Sequence, residues 1–258
     1  MAGTKACSIL ITGANRGLGL EMVRQLVEGP CTAQKIFAGC HSPQGPQSKA
    51  LQDLAEKYPD IITVVPLDTT DPSSIKESAK MVGSQVGDKG LNVLVNNAGV
   101  LAHGKMQDTS ADDMLCAFTT NVIGPMSVTK EYLPYLRVAA RSSGEPGMSC
   151  CKAAVINISS RLGSMSSIPQ LYSIFPAFSY SISKAGLNML TVYAALELRK
   201  DEILCTALHP GWVRTDTGGE QASMEAKQSV EALLKVMSSL NEQHHGGFLD
   251  YAGNTVPW

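Results

Sequence analysis

The sequence predicts an α/β fold: a doubly wound, mainly parallel seven-stranded sheet with helices on both faces, in a single domain. Three observations carry that expectation. Short β-branched runs alternate with longer stretches of helical period along most of the chain, the pattern of repeated βαβ units. Several runs, Ile9-Leu10-Ile11 and Val93-Leu94-Val95 among them, are almost continuously apolar, as strands buried on both faces are. The composition is 44% hydrophobic and only 17% charged, against roughly 25% charged in an average domain. That balance excludes intrinsic disorder, and 258 residues bury a sizeable core without staples.

The elements follow in order. A first strand at 7–12 runs straight into a glycine-rich turn, and a helix follows at 18–28. A second strand at 35–40 precedes a helix near 47–57. The third strand, 62–67, leads into Asp68-Thr69-Thr70-Asp71 before a helix at 72–86 that opens on Pro72, a residue suited to a first helical turn. After the fourth strand, 91–96, comes a long helical stretch at 111–138. Within it, Thr120-Asn121-Val122-Ile123-Gly124-Pro125 interrupts the pattern. The Ser/Gly/Pro-rich stretch 141–149 reads as a surface loop before the fifth strand, 153–159. An irregular stretch with Pro169 and Pro176 then leads to a helix at 179–200. A strand at 204–209, a helix at 224–240 and a strand at 247–251 complete the chain. Each gap between strands accommodates a right-handed crossover. No irregular stretch has a core on both sides, so none marks a domain boundary.

Whole classes of function drop out. Twenty-one basic residues against twenty-three acidic ones leave a net charge of −2, so nothing draws the chain as a whole to nucleic acid or anionic lipid. No apolar run approaches the roughly 18 residues needed to cross a bilayer, and residues 1–5 lead into a strand without a signal-peptide pattern. The seven cysteines are odd in number and scattered, with Cys150 and Cys151 adjacent, which suits neither disulfides nor zinc. They read as reduced thiols in a cytoplasmic protein, and no metal site is expected.

The first chemical signal is Thr12-Gly13-Ala14-Asn15-Arg16-Gly17-Leu18-Gly19, placed after a strand and before a helix. Glycines there permit a tight turn and let backbone amides approach a pyrophosphate, while the helix N-terminus adds its positive dipole end. Cofactor choice is read at the end of the second strand, where an NAD enzyme places an acid for the ribose 2′-hydroxyl. This chain has Gly39-Cys40-His41-Ser42 instead. Arg16 is then free to face a 2′-phosphate, with His41 or Ser42 assisting, unless it is a solvated loop residue; the expectation is NADP(H). Asp68 is assigned to the adenine amino group and Asp71 to the helix cap. Small residues in Asn96-Asn97-Ala98-Gly99 would let the cofactor lie close to the backbone, and Asn96 serves either that purpose or the bracing of neighbouring strands.

The second signal is Tyr180-Ser181-Ile182-Ser183-Lys184. A spacing of four puts Tyr180 and Lys184 on one helix face, one turn apart. A free phenol has a pKa of about 10, and a neighbouring ammonium is expected to lower it and fit it for proton exchange. Tyr172 and Tyr193 are followed four residues later by Pro176 and Glu197, so they lack such a partner. Ser159 and Ser160, at the carboxyl end of the fifth strand, compete to hold a substrate carbonyl oxygen. Asn121 bends a helix, holds water or solvates a kink.

Taken in order, Thr12–Gly19, Asn96–Gly99, Asn121, Ser160 with Tyr180 and Lys184, and Pro210-Gly211 resemble the motif set of the short-chain dehydrogenase/reductase family. Within it the chain is most similar to sniffer-type carbonyl reductases and C-factor-like proteins, through residues 209–216 with Gly218-Gly219. The resemblance implies that residues 1–258 form one NAD(P)-binding domain of Rossmann type. It implies NADPH-dependent reduction of an aldehyde or ketone, with Tyr180 as general acid. Lys184 would lower its pKa and bind the nicotinamide ribose. Ser160 would orient the substrate oxygen, and Asn121 would hold the water that continues the proton relay. Asn97, Ala98 and Gly99 would line the cofactor, with Pro210, Gly211, Val213 and Thr215 beside the nicotinamide. Family relatives pair through helices like 111–138 and 179–200, so a small-molecule carbonyl substrate and a homodimer are the expected partners.

Two departures stand out. His41 occupies a position where sniffer-type relatives carry arginine, which makes Arg16 more important. The interval from Ser160 to Tyr180 is longer than usual, and the extra segment, 164–178, holds Ile168, Leu171, Tyr172, Ile174 and Phe175. It forms either an apolar lid over the substrate or a surface excursion. The rival readings are an NADP(H)-binding regulator with little turnover, disfavoured by the complete Asn-Ser-Tyr-Lys set, and a nucleotide-sugar epimerase, disfavoured by the glycine spacing.

Overall fold

The computed structural model describes residues 7–29, 33–144 and 146–258. The readings made on residues 1–5 and on Cys31 lie outside them. Seven strands, β1 (Ser8–Ile11), β2 (Lys35–Cys40), β3 (Ile62–Pro66), β4 (Val93–Asn96), β5 (Ala154–Ile158), β6 (Leu204–His209) and β9 (Phe248–Asp250), build one sheet in the order β3-β2-β1-β4-β5-β6-β9. Every neighbouring pair is parallel. The order reverses between β1 and β4, and that switch point opens a crevice at the carboxyl ends of the strands.

Two apolar layers cover the sheet. On one face Met22, Val23 and Leu26 of α1 (Gly17–Glu28) meet Val230, Leu233 and Val236 of α8 (Ala226–Ser239), with Leu51 of α2 (Lys49–Lys57) beside them. On the other, Ile75 and Val82 of α3 (Pro72–Val86) pack with Val128, Tyr132 and Leu136 of α5 (Gly124–Ser142) and Leu198 of α7 (Phe178–Leu198). Asp71 caps α3, accepting from Ser73 N at 3.0 Å and Ser74 N at 3.2 Å.

The structure departs from the sequence reading in three places. The long helix expected at 111–138 is broken into α4 (Ala111–Phe118), a π-turn (Thr119–Ile123) and α5. Pro125 is the reason: it has no N–H to give the carbonyl of Asn121 four residues earlier, and Gly124 N bonds back five residues to Thr119 O instead. The last helix begins at Ala226 rather than 224, because Met224 and Glu225 form β8 and pair with β7 (Val213–Arg214) in a separate two-stranded sheet. The extra segment after Ser160 contains a short helix, α6 (Ile168–Leu171).

Among the described residues Cys40, Cys116, Cys150, Cys151 and Cys205 are free thiols, and no cluster of potential metal ligands occurs. No helix among the described residues is long and apolar enough to cross a membrane.

Candidate active site

A cleft of about 660 Å3 lies at the carboxyl ends of β1, β4, β5 and β6. Its construction starts with the glycine turn. Gly13 has φ 65°, and a Cβ on it would stand 2.9 Å from the Cα of Ala98. Thr12 stitches the two strands that make this approach, its Oγ1 accepting from Asn97 N at 3.0 Å and Ala98 N at 2.9 Å. Asn97 Nδ2 returns bonds to the carbonyls of Thr12 and Gly13. A dinucleotide can therefore lie against bare backbone, facing the N-terminus of α1.

Gly13, Asn15, Arg16, Gly17 and Leu18 line this end of the cleft, and Asn97, Ala98 and Gly99 form its floor. Gly19 does not line it. Its role is packing, since a Cβ there would lie 2.2 Å from Gly13 O and the helix could not approach the turn. His41 and Asp68 share the far corner, His41 Nε2 standing 3.4 Å from Asp68 Oδ2. Burial would raise the Asp68 carboxyl, but hydrogen bonds from Thr70 N and Oγ1, with His41 nearby, outweigh it and hold the group below its usual range.

Arg16 is not the free cation that the sequence suggests. Its Nη1 donates to Asp216 Oδ2 at 2.8 Å, on the loop after β7. Thr215 of that loop lies over Gly17, where a φ of 54° calls for glycine.

At the other end Tyr180 and Lys184 project from one face of α7, the Lys184 ammonium 5.6 Å from the Tyr180 ring centroid. Lys184 is buried, and its Nζ donates to Ile158 O at 2.8 Å. Tyr180 is half-buried and shares a hydrogen bond with Ser160. The competition between the two serines is resolved by α7, which takes the Ser159 hydroxyl as donor to Asn188 Oδ1 at 2.6 Å. Ser160 is left on the cleft wall with Tyr180, Lys184, Pro210, Gly211, Val213 and Thr215.

Burial governs both members of the pair in the folded chain. Burial pushes Tyr180 up to about 12 against the Ser160 hydrogen bond, and burial pulls Lys184 down to about 8. The ammonium is tied to the Ile158 carbonyl and lies beside the ring rather than at the hydroxyl. The Asn121 amide is engaged within the protein. It is wholly buried behind the wall; its Oδ1 accepts from Val100 N, and its Nδ2 donates to Val100 O and Ser183 Oγ, each at 2.9 Å. It pins the loop after β4 to α7. Asn96 braces strands, donating to Thr129 Oγ1 and Asn157 Oδ1.

The extra segment is partly wall and partly surface. Leu171 and Phe175 line the cleft, whereas Tyr172 and Ile174 are exposed. Phe175 meets Trp212 edge to face with ring centroids 4.7 Å apart, joining the segment to the loop after β6. Its base is anchored by Ser164 Oγ, which donates to Pro257 O, and Ser166 Oγ, which donates to Trp258 O. Sequence reasoning missed several wall residues: Arg161, His103, His209, Trp212, Asp216 and Tyr251. Arg161 could have been found, as a charge directly after the serine at a strand's carboxyl end. His209 closes β6, and the rest sit on loops without periodicity.

Comparison with known proteins accords with this geometry. A family model described as short chain dehydrogenase matches residues 8–226. C-signal of Myxococcus xanthus is 38% identical over 169 residues, covering 65% of this chain and 93% of that protein. The crystal structure of NADPH-bound carbonyl reductase from chicken fatty liver superposes with a TM-score of 0.93 at 42% identity, covering 98% of this chain and 99% of that one. The carbonyl reductase Sniffer of D. melanogaster gives a TM-score of 0.92 at 34% identity, with coverage of 98% and 100%. With the family pattern spanning the glycine turn, the serine and the Tyr-Lys pair alike, the chain belongs to the short chain dehydrogenase family of oxidoreductases.

Proposed function

We propose that this chain reduces an aldehyde or ketone to an alcohol with NADPH. The observation that carries the reading is that one cleft holds both the glycine turn and the Ser160–Tyr180–Lys184 group. The walls fit a dinucleotide: bare backbone at Gly13 and Ala98, a helix N-terminus, and no acid at the end of β2 to repel a 2′-phosphate. Bound there, the reduced nicotinamide supplies a hydride to the carbonyl carbon.

Arg16 and His41 hold the 2′-phosphate, which requires Arg16 to leave Asp216. Asp68 takes the adenine amino group, and Pro210, Gly211, Val213 and Thr215 flank the nicotinamide. Ser160 orients the carbonyl oxygen while Tyr180 Oη gives it a proton. A phenol pushed up to about 12 is fully loaded with that proton at neutral pH. Lys184 stands beside the phenolate left behind and returns a proton to it. Asn121, on the π-turn behind the wall, holds the water that resupplies Lys184. Sniffer and the chicken liver enzyme, both named as carbonyl reductases, support the reaction class.

The test is NADPH consumption against a panel of aldehydes, ketones and quinones. Turnover of panel members is expected; tight NADPH binding with no turnover anywhere would support the regulator reading instead. Arg16→Glu sets two carboxylates side by side and removes a charge-assisted phosphate contact worth about 1.5–3 kcal/mol. The apparent KM for NADPH should rise about 10- to 100-fold by that measure, and the value for NADH far less. Equal changes would discard the phosphate role.

The chain is also expected to pair. Phe118, Ile123 and Met126 around the π-turn and Ile182, Met189 and Tyr193 on α7 are all exposed. They form adjoining faces, because the Phe118 ring and Val122 lie against Gly186. Light scattering should report twice the 27.4 kDa of one chain. A monomer mass at micromolar concentration would refute it.

A further inference from the structure

The wall next to Ser160 carries a cation that the proposed reaction does not use. Arg161 lines the cleft with its side chain 48% exposed. Its backbone is fixed, the main-chain N–H donating to His209 Nδ1 at 3.3 Å. Its guanidinium is not: among the described residues it donates no hydrogen bond, and its ionic neighbour Asp250 stands 3.8 Å away. Asp250 does not need it. That carboxylate accepts from Ala252 N and Asn254 N at 2.9 Å and from Asn254 Nδ2 at 3.3 Å. His209 offers no counter-charge either, since burial, with Arg161 adding to it, pulls the imidazole down to about 4 and keeps it neutral. The same cleft carries apolar and aromatic side chains, Leu162, Leu171, Phe175 and Trp212 among them.

A guanidinium fork with unused donors matches an ionised carboxylate, which accepts two parallel N–H bonds. Partial enclosure by apolar side chains strengthens such a pair relative to water. The position suits a substrate group. Ser160 and Arg161 have Cα atoms about 3.8 Å apart, so a carbonyl oxygen held by Ser160 and Tyr180 leaves the far side of a one-ring molecule within an arginine's length.

We propose that Arg161 is a specificity-determining residue that binds a carboxylate on the substrate, so that carbonyl compounds bearing an acid group about one ring from the carbonyl are preferred to their neutral counterparts. This rests on the reductase reading and adds the substrate class to it. The apolar wall accepts the ring or chain between the two groups, and Arg161 sets which end faces Ser160.

The experiment uses a matched pair, para-carboxybenzaldehyde and its methyl ester, with NADPH and the full chain. The native protein should favour the acid. Arg161→Met should lower the acid-to-ester ratio of kcat/KM at least about tenfold, as the loss of one charge-assisted contact implies. The loss should appear in KM, and Arg161→Lys should recover part of it. A ratio unmoved by Arg161→Met overturns the proposal. Calorimetric binding of terephthalate to the protein saturated with NADP+ separates the two ideas. If neither aldehyde is turned over, the reductase reading is decided by the wider carbonyl panel; terephthalate binding to the native chain but not to Arg161→Met still supports the anion site. Equal binding, or none to the native chain, overturns it. Should Arg161→Met fail to fold, Arg161→Gln is read the same way.

Discussion

Tyr180→Phe is expected to lower carbonyl-dependent NADPH oxidation about 10²- to 10⁴-fold, the range general acid catalysis contributes. The substitution keeps the ring that α7 holds half-buried and removes only the oxygen that carries the proton. No neighbour can take over. Ser160 already accepts from Leu162 N at 3.2 Å, its hydroxyl proton has a far higher pKa than a phenol's, and Lys184 is turned to the Ile158 carbonyl. Cofactor affinity should stay close to native, because the phosphate and adenine contacts lie at the opposite end of the cleft. Stopped-flow measurement of hydride transfer, with NADPH titrated by its fluorescence, checks both halves. Retained turnover would remove Tyr180 from the role assigned to it. A parallel collapse of NADPH binding would reduce the effect to loss of the site's shape.

Lys184→Met should cost roughly 10²- to 10³-fold in kcat, as loss of one preorganised electrostatic stabiliser does. Its pH behaviour follows from the ammonium being pulled down to about 8 by burial. Below that value the charge is present and the phenolate formed in the reaction is stabilised. Above it the amine is neutral, so native reduction should fall as pH rises through about 8. Stability moves the other way. An unfolded lysine titrates at about 10.4, so between about 8 and that value the unfolded chain binds more protons than the folded one, and stability rises with pH. At neutral pH the folded chain bears the full cost of a buried ammonium, which Lys184→Met removes. The variant should therefore melt within about 5 °C of the native protein, a shift worth one or two kcal/mol in a chain of this size, although its activity is lost. A large drop in melting temperature beside the lost activity would make Lys184 a structural residue.

The sheet is legible in the sequence because β1, β4 and β5 are buried on both faces and so are written as unbroken apolar runs, while the helices between them keep one apolar stripe. Ends are read less well. The interruption at 120–125 is visible in the sequence but its form, a π-turn beside the missing N–H of Pro125, is not, and β8 depends on pairing with β7, a two-residue strand without a pattern of its own. In the site, Gly13, Ser160, Tyr180 and Lys184 could be placed because their positions follow from strand ends and helix phase. Sequence cannot show what a side chain is already holding. Arg16 turns to Asp216 and the Asn121 amide turns to Val100, contacts that no sequence pattern announces. Trp212 and Phe175 meet only because two loops fold over the same end of the cleft.

The all-parallel pairing of the main sheet also governs how the chain reaches its native state. Ser8 lies opposite Lys35, Ile9 opposite Val93, and Ala154 opposite Leu204. No ladder can therefore begin as a hairpin: each requires a long intervening stretch to collapse before its first hydrogen bond forms. Such non-local closure makes refolding slow and leaves apolar strands transiently unpaired. Recovery from denaturant should then be limited by dilution and competing aggregation more than by the equilibrium stability of the finished molecule.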